Sequence, residues 1–257
     1  MSTMRDRIVF ITGASSGIGR SCARVFAREG AKVLMAARRA DRLSRIADDL
    51  RAEFGAAVHF FALDVRFQPD VERALASLPQ DWQAIDVLVN NAGLSRGLDK
   101  LHEGLLSDWE EMIDTNIKGL LYVSKAVIPG MISRGRGHII NLGSIAGHEV
   151  YPGGNVYCAT KAAVSSLTRA LRLDLVGTPL RVSTVDPGMV ETEFSLVRFH
   201  GDNERAAKVY HGLQPLTPDD IAETILFCAS RPPHVNISEV ILMPQAQAAA
   251  TVVCRKS

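Results

Sequence analysis

Short apolar runs alternate with longer amphipathic stretches along almost the whole chain, and this alternation limits the possible folds more than any other feature. The runs are rich in Val, Ile and Leu without regular polar alternation, which is typical of strands buried on both faces. Strands that alternate strictly with helices predict a parallel sheet with helices on both faces. We predict seven strands, at residues 8–12, 33–37, 58–63, 87–90, 138–142, 181–185 and 240–243.

The stretches between these runs place apolar residues at helical spacing. Gly30 is predicted to stop the first helix, and Asp41 is predicted to cap the start of the second. The longest stretch is predicted to bend near Gly119. No linker rich in Pro, Gly or Ser divides the chain, so residues 1–257 are predicted to form a single α/β domain. The predicted helices cover residues 18–29, 41–54, 71–78, 109–133, 156–175 and 221–229.

The charge balance and the sparse cysteines exclude several classes of protein. The chain has 29 basic and 28 acidic residues and a net charge of +1, without the basic face that a nucleic-acid partner requires. The seven histidines form no ligand pair, so no metal site is expected. The four cysteines form no CxxC pair, and we find neither a signal peptide nor an apolar stretch of about 20 residues. These observations predict a cytoplasmic protein without a membrane segment.

A glycine-rich loop follows the first predicted strand. Its sequence, from Thr12 to Gly19, reads Thr-Gly-Ala-Ser-Ser-Gly-Ile-Gly. Most glycine-rich stretches are only turns, but a loop between a strand and a helix places free helix amides and a positive dipole end beside a close backbone approach. This context predicts a dinucleotide phosphate site. Its predicted contact residues are Gly13, Ser15, Ser16, Gly17, Ile18 and Gly19.

Tyr157 and Lys161 lie four residues apart on a predicted helix and therefore share a face. A phenol has an unperturbed pKa of about 10, and a nearby ammonium group favours the phenolate and lowers that pKa. The pair is therefore predicted to exchange a proton with a carbonyl or an alcohol. A single Tyr–Lys pair at this spacing is more often an ordinary helix surface pair, so the prediction depends on the other motifs.

The complete set of motifs resembles the short-chain dehydrogenase/reductase family. The set consists of the Gly-x-x-x-Gly-x-Gly loop, Asn-Asn-Ala-Gly at residues 90–93, Tyr-x-x-x-Lys at 157–161 with Ser144 upstream, and Pro187-Gly188, and the resemblance covers essentially the whole chain. It implies a doubly wound Rossmann-like sheet and a nicotinamide cofactor. It also implies that the cofactor contacts Asp64, Val65, Asn91, Ala92, Gly93, Tyr157, Lys161, Pro187, Gly188, Val190 and Thr192.

The same resemblance implies a catalytic group of four residues: Asn116, Ser144, Tyr157 and Lys161. Tyr157 would transfer the proton, and Ser144 would hydrogen-bond the substrate oxygen. Lys161 would reach the nicotinamide ribose, and Asn116 would support a water relay to Lys161. The hydride would come from the cofactor.

The end of the second predicted strand indicates which nicotinamide is used. NAD enzymes place an acid there to bind the ribose 2′-hydroxyl. This chain has Ala37 at that position, followed by Arg38 and Arg39, whose guanidinium groups can bind a 2′-phosphate. We interpret Asp41 as a helix cap, and the pattern therefore predicts NADP(H).

Residues 190–202, 216–221 and 233–237 resemble NADP-dependent 3-hydroxy acid dehydrogenases, also described as serine or allo-threonine dehydrogenases. This resemblance implies oxidation at C3 of small substrates such as L-allo-threonine, serine or 3-hydroxypropionate, and reduction of malonic semialdehyde in reverse. Two alternatives are an NADPH-dependent reductase of bulkier ketones such as steroids and a non-catalytic NADP(H)-binding scaffold. The resemblance also implies a homo-oligomer, with a tetramer favoured.

Residues 188–216 lack strong periodicity and are predicted to form a substrate lid. A carboxylate substrate requires a positive partner, and Arg198 in this lid is our candidate. The predicted substrate contacts are therefore Ser144, Tyr157 and Arg198. An exposed lid arginine more often forms a local salt bridge, which is the alternative interpretation.

Overall fold

The computed structural model describes residues 4–256, and the predicted domain's remaining residues, 1–3 and 257, lie outside the described residues. Its centre is a seven-stranded sheet with the order β3-β2-β1-β4-β5-β6-β7, in which every pair is parallel. The strands are β1 (Ile8–Thr12), β2 (Lys32–Ala37), β3 (Val58–Ala62), β4 (Ile85–Asn90), β5 (Gly137–Leu142), β6 (Leu180–Pro187) and β7 (Glu239–Leu242). The predicted fold class is confirmed.

Helices cover both faces of this sheet. They are α1 (Gly17–Arg28), α2 (Ala40–Phe54), α3 (Gln68–Ala76), α4 (Leu106–Ile113), α5 (Leu120–Ser133), α6 (Asn155–Asp174), α7 (Phe194–Arg198), α8 (Asn203–Lys208) and α9 (Pro218–Ala229). Short 3-10 turns lie at Gln80–Trp82 and Ile145–Gly147.

The side chains of β1 alternate between two apolar cores, one on each face of the sheet. Ile11 packs in the core that contains Phe26 of α1 and Ile221 of α9. Phe10 packs in the other core, with Val127 of α5. Phe10 and Phe26 are both 0% exposed, and burial of each such side chain contributes roughly 1.5–3 kcal/mol. The central strand is therefore buried on both faces, as its apolar sequence predicts.

β1 lies between β2 and β4 in the sheet. The chain adds β2 and β3 on one side of β1 and then crosses over to add β4 to β7 on the other side. The loops after β1 and β4 diverge at this point, and the crevice between them is where parallel α/β sheets bind ligands. The glycine-rich loop and the Asn-Asn-Ala-Gly segment follow these two strands. The topology therefore places both motifs at one crevice.

Several element boundaries differ from the sequence prediction. The predicted helix at 109–133 begins earlier, as α4, and is interrupted by a π-helical turn at Asp114–Gly119, which ends at the residue near which a bend was predicted. Asp41 is not the N-cap: α2 begins at Ala40, and Asp41 lies in its first turn. The segment predicted to be irregular contains α7 and α8. These helices are five and six residues long, too short to give a periodic pattern.

Because His138 of β5 is buried, we expect the free energy of unfolding to depend measurably on pH. Its side chain is 1% exposed, and burial, with a smaller contribution from Arg181, lowers its pKa to about 3. Between about pH 6.5 and pH 3 the unfolded chain therefore binds a proton that the folded chain does not, so the free energy of unfolding falls as the pH falls.

We expect His138→Gln to flatten this dependence by up to about 1.4 kcal/mol per pH unit. Urea unfolding of both proteins at intervals between pH 7 and pH 5 measures it. The hydrogen bond to Ser183 Oγ can be replaced by the Gln amide. Parallel pH profiles for the two proteins would contradict the expectation.

None of the helices formed by residues 4–256 has both the length and the apolar character needed to cross a membrane.

Candidate active site

The glycine-rich loop approaches the segment after β4 so closely that side chains are excluded. Gly13 has φ +66°, and a Cβ there would lie 2.9 Å from the Ala92 Cα. A Cβ on Gly19 would lie 2.5 Å from Asn91 Nδ2. Gly17 begins α1 with φ +50°, a conformation that favours glycine. The result is a cradle of free backbone amides at a helix N-terminus, which suits a phosphate.

Polar side chains lock the two loops together. Asn91 Nδ2 donates to the carbonyl oxygens of Thr12 (2.8 Å) and Gly13 (3.2 Å). Thr12 Oγ1 accepts hydrogen bonds from the backbone amides of Asn91 and Ala92. Asn90 Nδ2 in turn donates to Asn141 Oδ1 of β5, at 2.9 Å. The Asn-Asn pair therefore joins three neighbouring strands at the crevice.

The two predicted arginines lie at the outer end of the crevice. Arg39 donates to the hydroxyls of Ser15 (3.1 Å) and Ser16 (2.9 Å) in the glycine-rich loop. Arg38 contacts Glu111 at 3.4 Å and is half exposed. Both arginines line a recess with Asp64 and Val65. This recess carries guanidinium groups where an adenosine ribose would lie next to the phosphate cradle.

Arg39 and Arg42 also bind Glu193, which directly precedes α7. The Arg42 Nη1–Glu193 Oε1 distance is 2.7 Å. Glu193 therefore links the first part of the predicted lid to the start of α2. This contact was not predictable from the sequence, because residues 42 and 193 lie far apart in the chain.

Ser144, Tyr157 and Lys161 meet on the inner side of the crevice and line one cleft. Ser144 follows β5 and caps the turn Ile145–Gly147, where its Oγ accepts a hydrogen bond from the Ala146 amide. Tyr157 and Lys161 lie on α6, and each is less than a tenth exposed. Lys161 Nζ donates to the Leu142 carbonyl at 2.8 Å. The cleft thus joins a hydroxyl, a phenol and an amine.

The pKa of Tyr157 differs in direction from the sequence expectation. Burial raises this pKa, with the Tyr151 phenol acting in the same direction. The groups that oppose the rise are Arg198 and Ser144, not Lys161. The expected lowering by Lys161 is therefore wrong for this structure: Lys161 Nζ lies 6.0 Å from the Tyr157 ring centroid and bonds to Leu142 instead. Burial lowers the pKa of Lys161 itself to about 8.

Asn116 lies in the π-helical turn and is 2% exposed. Its Oδ1 accepts from the Leu94 amide at 2.9 Å, and its Nδ2 donates to the Leu94 carbonyl and to Thr160 Oγ1 of α6. A Cβ placed on Gly93 would lie 3.2 Å from Asn116 Oδ1 and 3.7 Å from Lys161 Nζ. Asn116 is therefore behind the cleft wall and close to Lys161, and its side-chain bonds fix the Leu94 segment.

Arg198 enters a second pocket, which continues from the cleft past Ser144 and Tyr157. Its guanidinium carbon lies 5.2 Å from the Tyr157 ring centroid and 5.0 Å from that of Phe194. It donates to Ser95 Oγ at 3.0 Å and to the Tyr151 hydroxyl at 2.9 Å. Both partners are neutral. Within residues 4–256, no carboxylate forms a salt bridge with Arg198, so the predicted alternative, a local salt bridge, is not observed.

The structure brings nearly all predicted site residues to this connected crevice. The cleft and the recess are lined by Gly13, Ser15, Ser16, Gly17, Ile18, Arg38, Arg39, Asp64, Val65, Asn91, Ala92, Gly93, Ser144, Tyr157, Lys161, Pro187, Gly188, Val190 and Thr192. Gly19 and Asn116 lie behind the lining, where they shape it. The second pocket is also lined by three residues that were not predicted from the sequence: Tyr151, Phe194 and Gln247. No sequence pattern marks them, since their position depends on how the lid and the C-terminal segment fold back.

Comparisons with known proteins agree with this geometry. Residues 7–202 match the family described as short chain dehydrogenase. The chain is 50% identical to the NADP-dependent 3-hydroxy acid dehydrogenase of Salmonella typhi over 97% of this chain and 100% of that protein. It is 44% identical to the NADP-dependent 3-hydroxy acid dehydrogenase of Schizosaccharomyces pombe, over 100% and 99% of the two chains.

Among solved structures, a closed form of serine dehydrogenase complexed with NADP+ matches with a TM-score of 0.91 and 46% identity. The match covers 97% of this chain and all of the other. The family match spans more than half of the chain, and the curated relatives span nearly all of it. With the fold and the crevice described above, these findings establish that the chain belongs to the short-chain dehydrogenase family.

Proposed function

We propose that this protein is an NADP(H)-dependent oxidoreductase that acts on C3 of a 3-hydroxy acid or 3-hydroxy amino acid. One observation carries the choice of substrate class. The guanidinium of Arg198 and the phenol of Tyr157 face the same pocket, with the Arg198 carbon 5.2 Å from the Tyr157 ring centroid. A cation without a carboxylate partner at that position suits a substrate that carries its own carboxylate.

The crevice fits NADP(H). The pyrophosphate would bind the amides of the cradle from Gly13 to Gly19, where any Cβ on Gly13 or Gly19 would collide with neighbouring atoms. Ser15, Arg38 and Arg39 would bind the 2′-phosphate. When bound, the nicotinamide supplies or accepts the hydride. Among the remaining predicted cofactor contacts, Asp64 and Val65 line the recess beside the two arginines, and those between Asn91 and Thr192 line the inner cleft.

The residues around the inner cleft would position the substrate and move its proton. Tyr157 would donate a proton to a carbonyl oxygen, or accept one from a hydroxyl during oxidation. Ser144 Oγ would hydrogen-bond the same oxygen. Lys161 would hold the ribose with its ammonium group and favour the phenolate once the Leu142 bond is exchanged. Asn116 would fix the π-helical turn beside Lys161 and support a water relay to it.

Arg198 would bind the carboxylate through charge-assisted hydrogen bonds, which are roughly twice as strong as neutral ones. Its present partners, the hydroxyls of Ser95 and Tyr151, are neutral acceptors, so a carboxylate would form stronger bonds to the same guanidinium. Residues 188–216 would act as the lid that brings Arg198 to the substrate. L-allo-threonine, serine and 3-hydroxypropionate are the proposed substrates, with malonic semialdehyde in the reverse direction.

The first experiment follows the absorbance of the reduced nicotinamide with purified protein. NADP+ or NAD+ is offered with L-serine, L-allo-threonine and 3-hydroxypropionate. Turnover with NADP+ on any of these substrates supports the proposal. If all three remain unreacted while NADPH reduces bulky ketones such as steroids, the substrate class is the alternative one. Binding of NADPH without any turnover would indicate a scaffold.

Arg38→Asp is expected to lower kcat/KM for NADP+ by about 10²–10³-fold, because it replaces a charge-assisted bond to the 2′-phosphate with a repulsion. The value for NAD+ should change by less than about threefold. Steady-state kinetics with both cofactors measures the ratio. Arg45→Asp, the same charge change at an exposed position on α2, is the matched control. An unchanged NADP+/NAD+ ratio in Arg38→Asp would refute the assignment of this arginine.

The proposed assembly is a homo-oligomer, with a tetramer favoured. Its support is a set of exposed apolar side chains on helices that the family uses for pairing: Leu106, Ile113, Leu121 and Leu173. Light scattering coupled to size exclusion measures the mass directly. We also propose a cytoplasmic location, which the three buried free thiols, Cys22, Cys158 and Cys228, support.

A further inference from the structure

Asp186 is a buried carboxylate that the proposed mechanism does not use. It is 1% exposed and lies near the end of β6, directly before Pro187. Its Oδ1 accepts from Thr184 Oγ1 at 2.6 Å, and its Oδ2 lies 3.0 Å from His148 Nε2. A carboxylate is costly to bury without hydrogen bonds, and this one is supported from two elements. Its location next to the active-site segments suggests a function.

The Asp186 carboxylate lies against the segment that carries Ser144. A Cβ on Gly143 would collide with Asp186 Oδ1, so any other residue at position 143 would displace the Asp186 carboxylate. The Gly143 amide donates to the Val185 carbonyl at 2.9 Å. Asp186 therefore sits under the peptide that joins Leu142, the acceptor of the Lys161 ammonium, to Ser144.

His148 completes this contact from the other end of the turn that Ser144 begins. The turn Ile145–Gly147 is capped by Ser144, and His148 follows it directly. Its Nε2 reaches Asp186, so the imidazole and the carboxylate tie the end of the turn to β6. The His148 side chain is 24% exposed, whereas that of Asp186 is 1% exposed, so the pair runs from the surface to the cleft wall.

Four titratable groups lie on the segments around this pair. Tyr157 and Lys161 lie on α6, where Lys161 Nζ bonds to the carbonyl of Leu142, the residue before Gly143, and Glu239 of β7 approaches His148 Nε2 at 3.7 Å. Glu149, next to His148, accepts a hydrogen bond from the Ala250 amide. Burial lowers the pKa of Lys161 to about 8, and the Asp186 charge opposes that effect. Of the three carboxylates in this cluster, Asp186 is buried, whereas Glu149 and Glu239 are exposed.

We propose that Asp186 and His148 are positioning residues for the Tyr157–Lys161 pair: the Asp186 carboxylate supplies the negative charge that keeps Lys161 an ammonium, and His148 holds that carboxylate under the Ser144 segment. This inference rests on the proposed function only in the role given to Lys161. It predicts that the alkaline limit of activity depends on a residue that touches neither substrate nor cofactor.

Asp186→Asn removes the charge but keeps the shape and a hydrogen bond to Thr184. We expect the alkaline limb of kcat/KM for NADP+, which reports groups of the free enzyme, to move to lower pH by about one unit. The sign follows from linkage: without the nearby anion the ammonium is less stable, so Lys161 loses its proton at lower pH. NADPH affinity, measured by its fluorescence from pH 6 to pH 9.5, should fall over the same lower range.

His148→Lys provides a second variant, at a position with an exposed face. The fixed positive charge of the lysine would neutralise the Asp186 carboxylate. It would therefore move the pH profiles of kcat/KM and of NADPH affinity to lower pH, as Asp186→Asn does. Thr184→Val removes a hydrogen bond from Asp186 but leaves its charge, so it should leave the alkaline limb in place. Glu239→Gln, on the solvent side of His148, should shift the limb by less than about 0.3 units.

The outcomes separate the two proposals. Folded Asp186→Asn with a lower kcat but unchanged pH profiles would mean that Asp186 is only structural, and the inference would be wrong. If Asp186→Asn does not fold, His148→Lys decides in the same way. A wild-type protein without turnover on hydroxy acids would overturn the proposed substrate, while the NADPH affinity profiles would still test Asp186.

Discussion

Tyr157→Phe is expected to lower kcat by about 10³-fold, within the roughly 10²–10⁴-fold range of general acid–base catalysis. The change removes only the phenolic oxygen, and the ring contact with Phe194, at a centroid distance of 5.5 Å, can remain. The Kd for NADPH should therefore stay within about twofold of the wild-type value. Steady-state kinetics gives kcat, and NADPH fluorescence titration gives the Kd.

Tyr151→Phe is the matched control for this variant. It removes a phenolic oxygen from the same pocket, but that oxygen bonds to Arg198 Nη2 rather than facing the cleft. We expect its effect to be mainly an altered KM for acid substrates, with kcat reduced by less than about tenfold. Equal losses of kcat in the two variants, or normal turnover by Tyr157→Phe, would refute the role given to Tyr157.

Arg198→Leu is expected to lower kcat/KM for carboxylate substrates by about 10²–10³-fold, because a buried bond to a charged partner is lost. For a neutral hydroxy or keto substrate of similar size, the change should stay within about threefold. The comparison is made with 3-hydroxypropionate and its methyl ester. The ester keeps the reacting carbon and removes the charge.

Arg205→Leu is the matched control within the lid. Arg205 lies over Phe199 at 4.4 Å from the ring centroid, outside the residues that line the substrate pocket. It should change neither substrate by more than about twofold. If Arg198→Leu impairs the acid and its ester equally, Arg198 serves the packing of Tyr157 and Phe194, and the proposed carboxylate site is wrong.

The positions of the sheet and of the cofactor crevice were predictable from local sequence. The apolar run at Ile8–Thr12, with a glycine loop directly after it, can be buried only as a central strand that opens into a helix N-terminus. The parallel topology then brings the residues after β4 to the same edge. Family resemblance added the spacing from Ser144 to Lys161, and the fold places these residues in one cleft.

The lid and its contacts were not predictable in the same way. α7 and α8 are short, and their positions depend on distant partners. Arg96 of the loop after β4 donates to the Val197 carbonyl at 2.6 Å, and the Gly97 amide donates to the Arg198 carbonyl at 2.9 Å. These bonds hold the end of α7 over the cleft. No local pattern encodes such pairs, because each partner is an ordinary loop residue on its own.

The pKa of Tyr157 likewise depends partly on local sequence and partly on tertiary structure. Four-residue spacing on a helix correctly placed Tyr157 and Lys161 on one face, but it predicted that the ammonium would lower the pKa of the phenol. In the folded chain Lys161 turns to the Leu142 carbonyl, and burial raises the pKa of Tyr157. Spacing fixes which side chains are neighbours, whereas desolvation and hydrogen-bond partners depend on what the rest of the chain packs around them.

The sequence by itself determined the α/β class, the parallel sheet and the glycine loop at the start of α1, since periodicity, glycine requirements and helix spacing act over a few residues. Only the tertiary structure decided that Arg198 meets Tyr157, that Glu193 binds Arg39 and Arg42, and that Asp186 lies under Gly143. Those contacts join residues that are more than 40 positions apart, and their energies depend on burial that exists only once the sheet and its helices have packed.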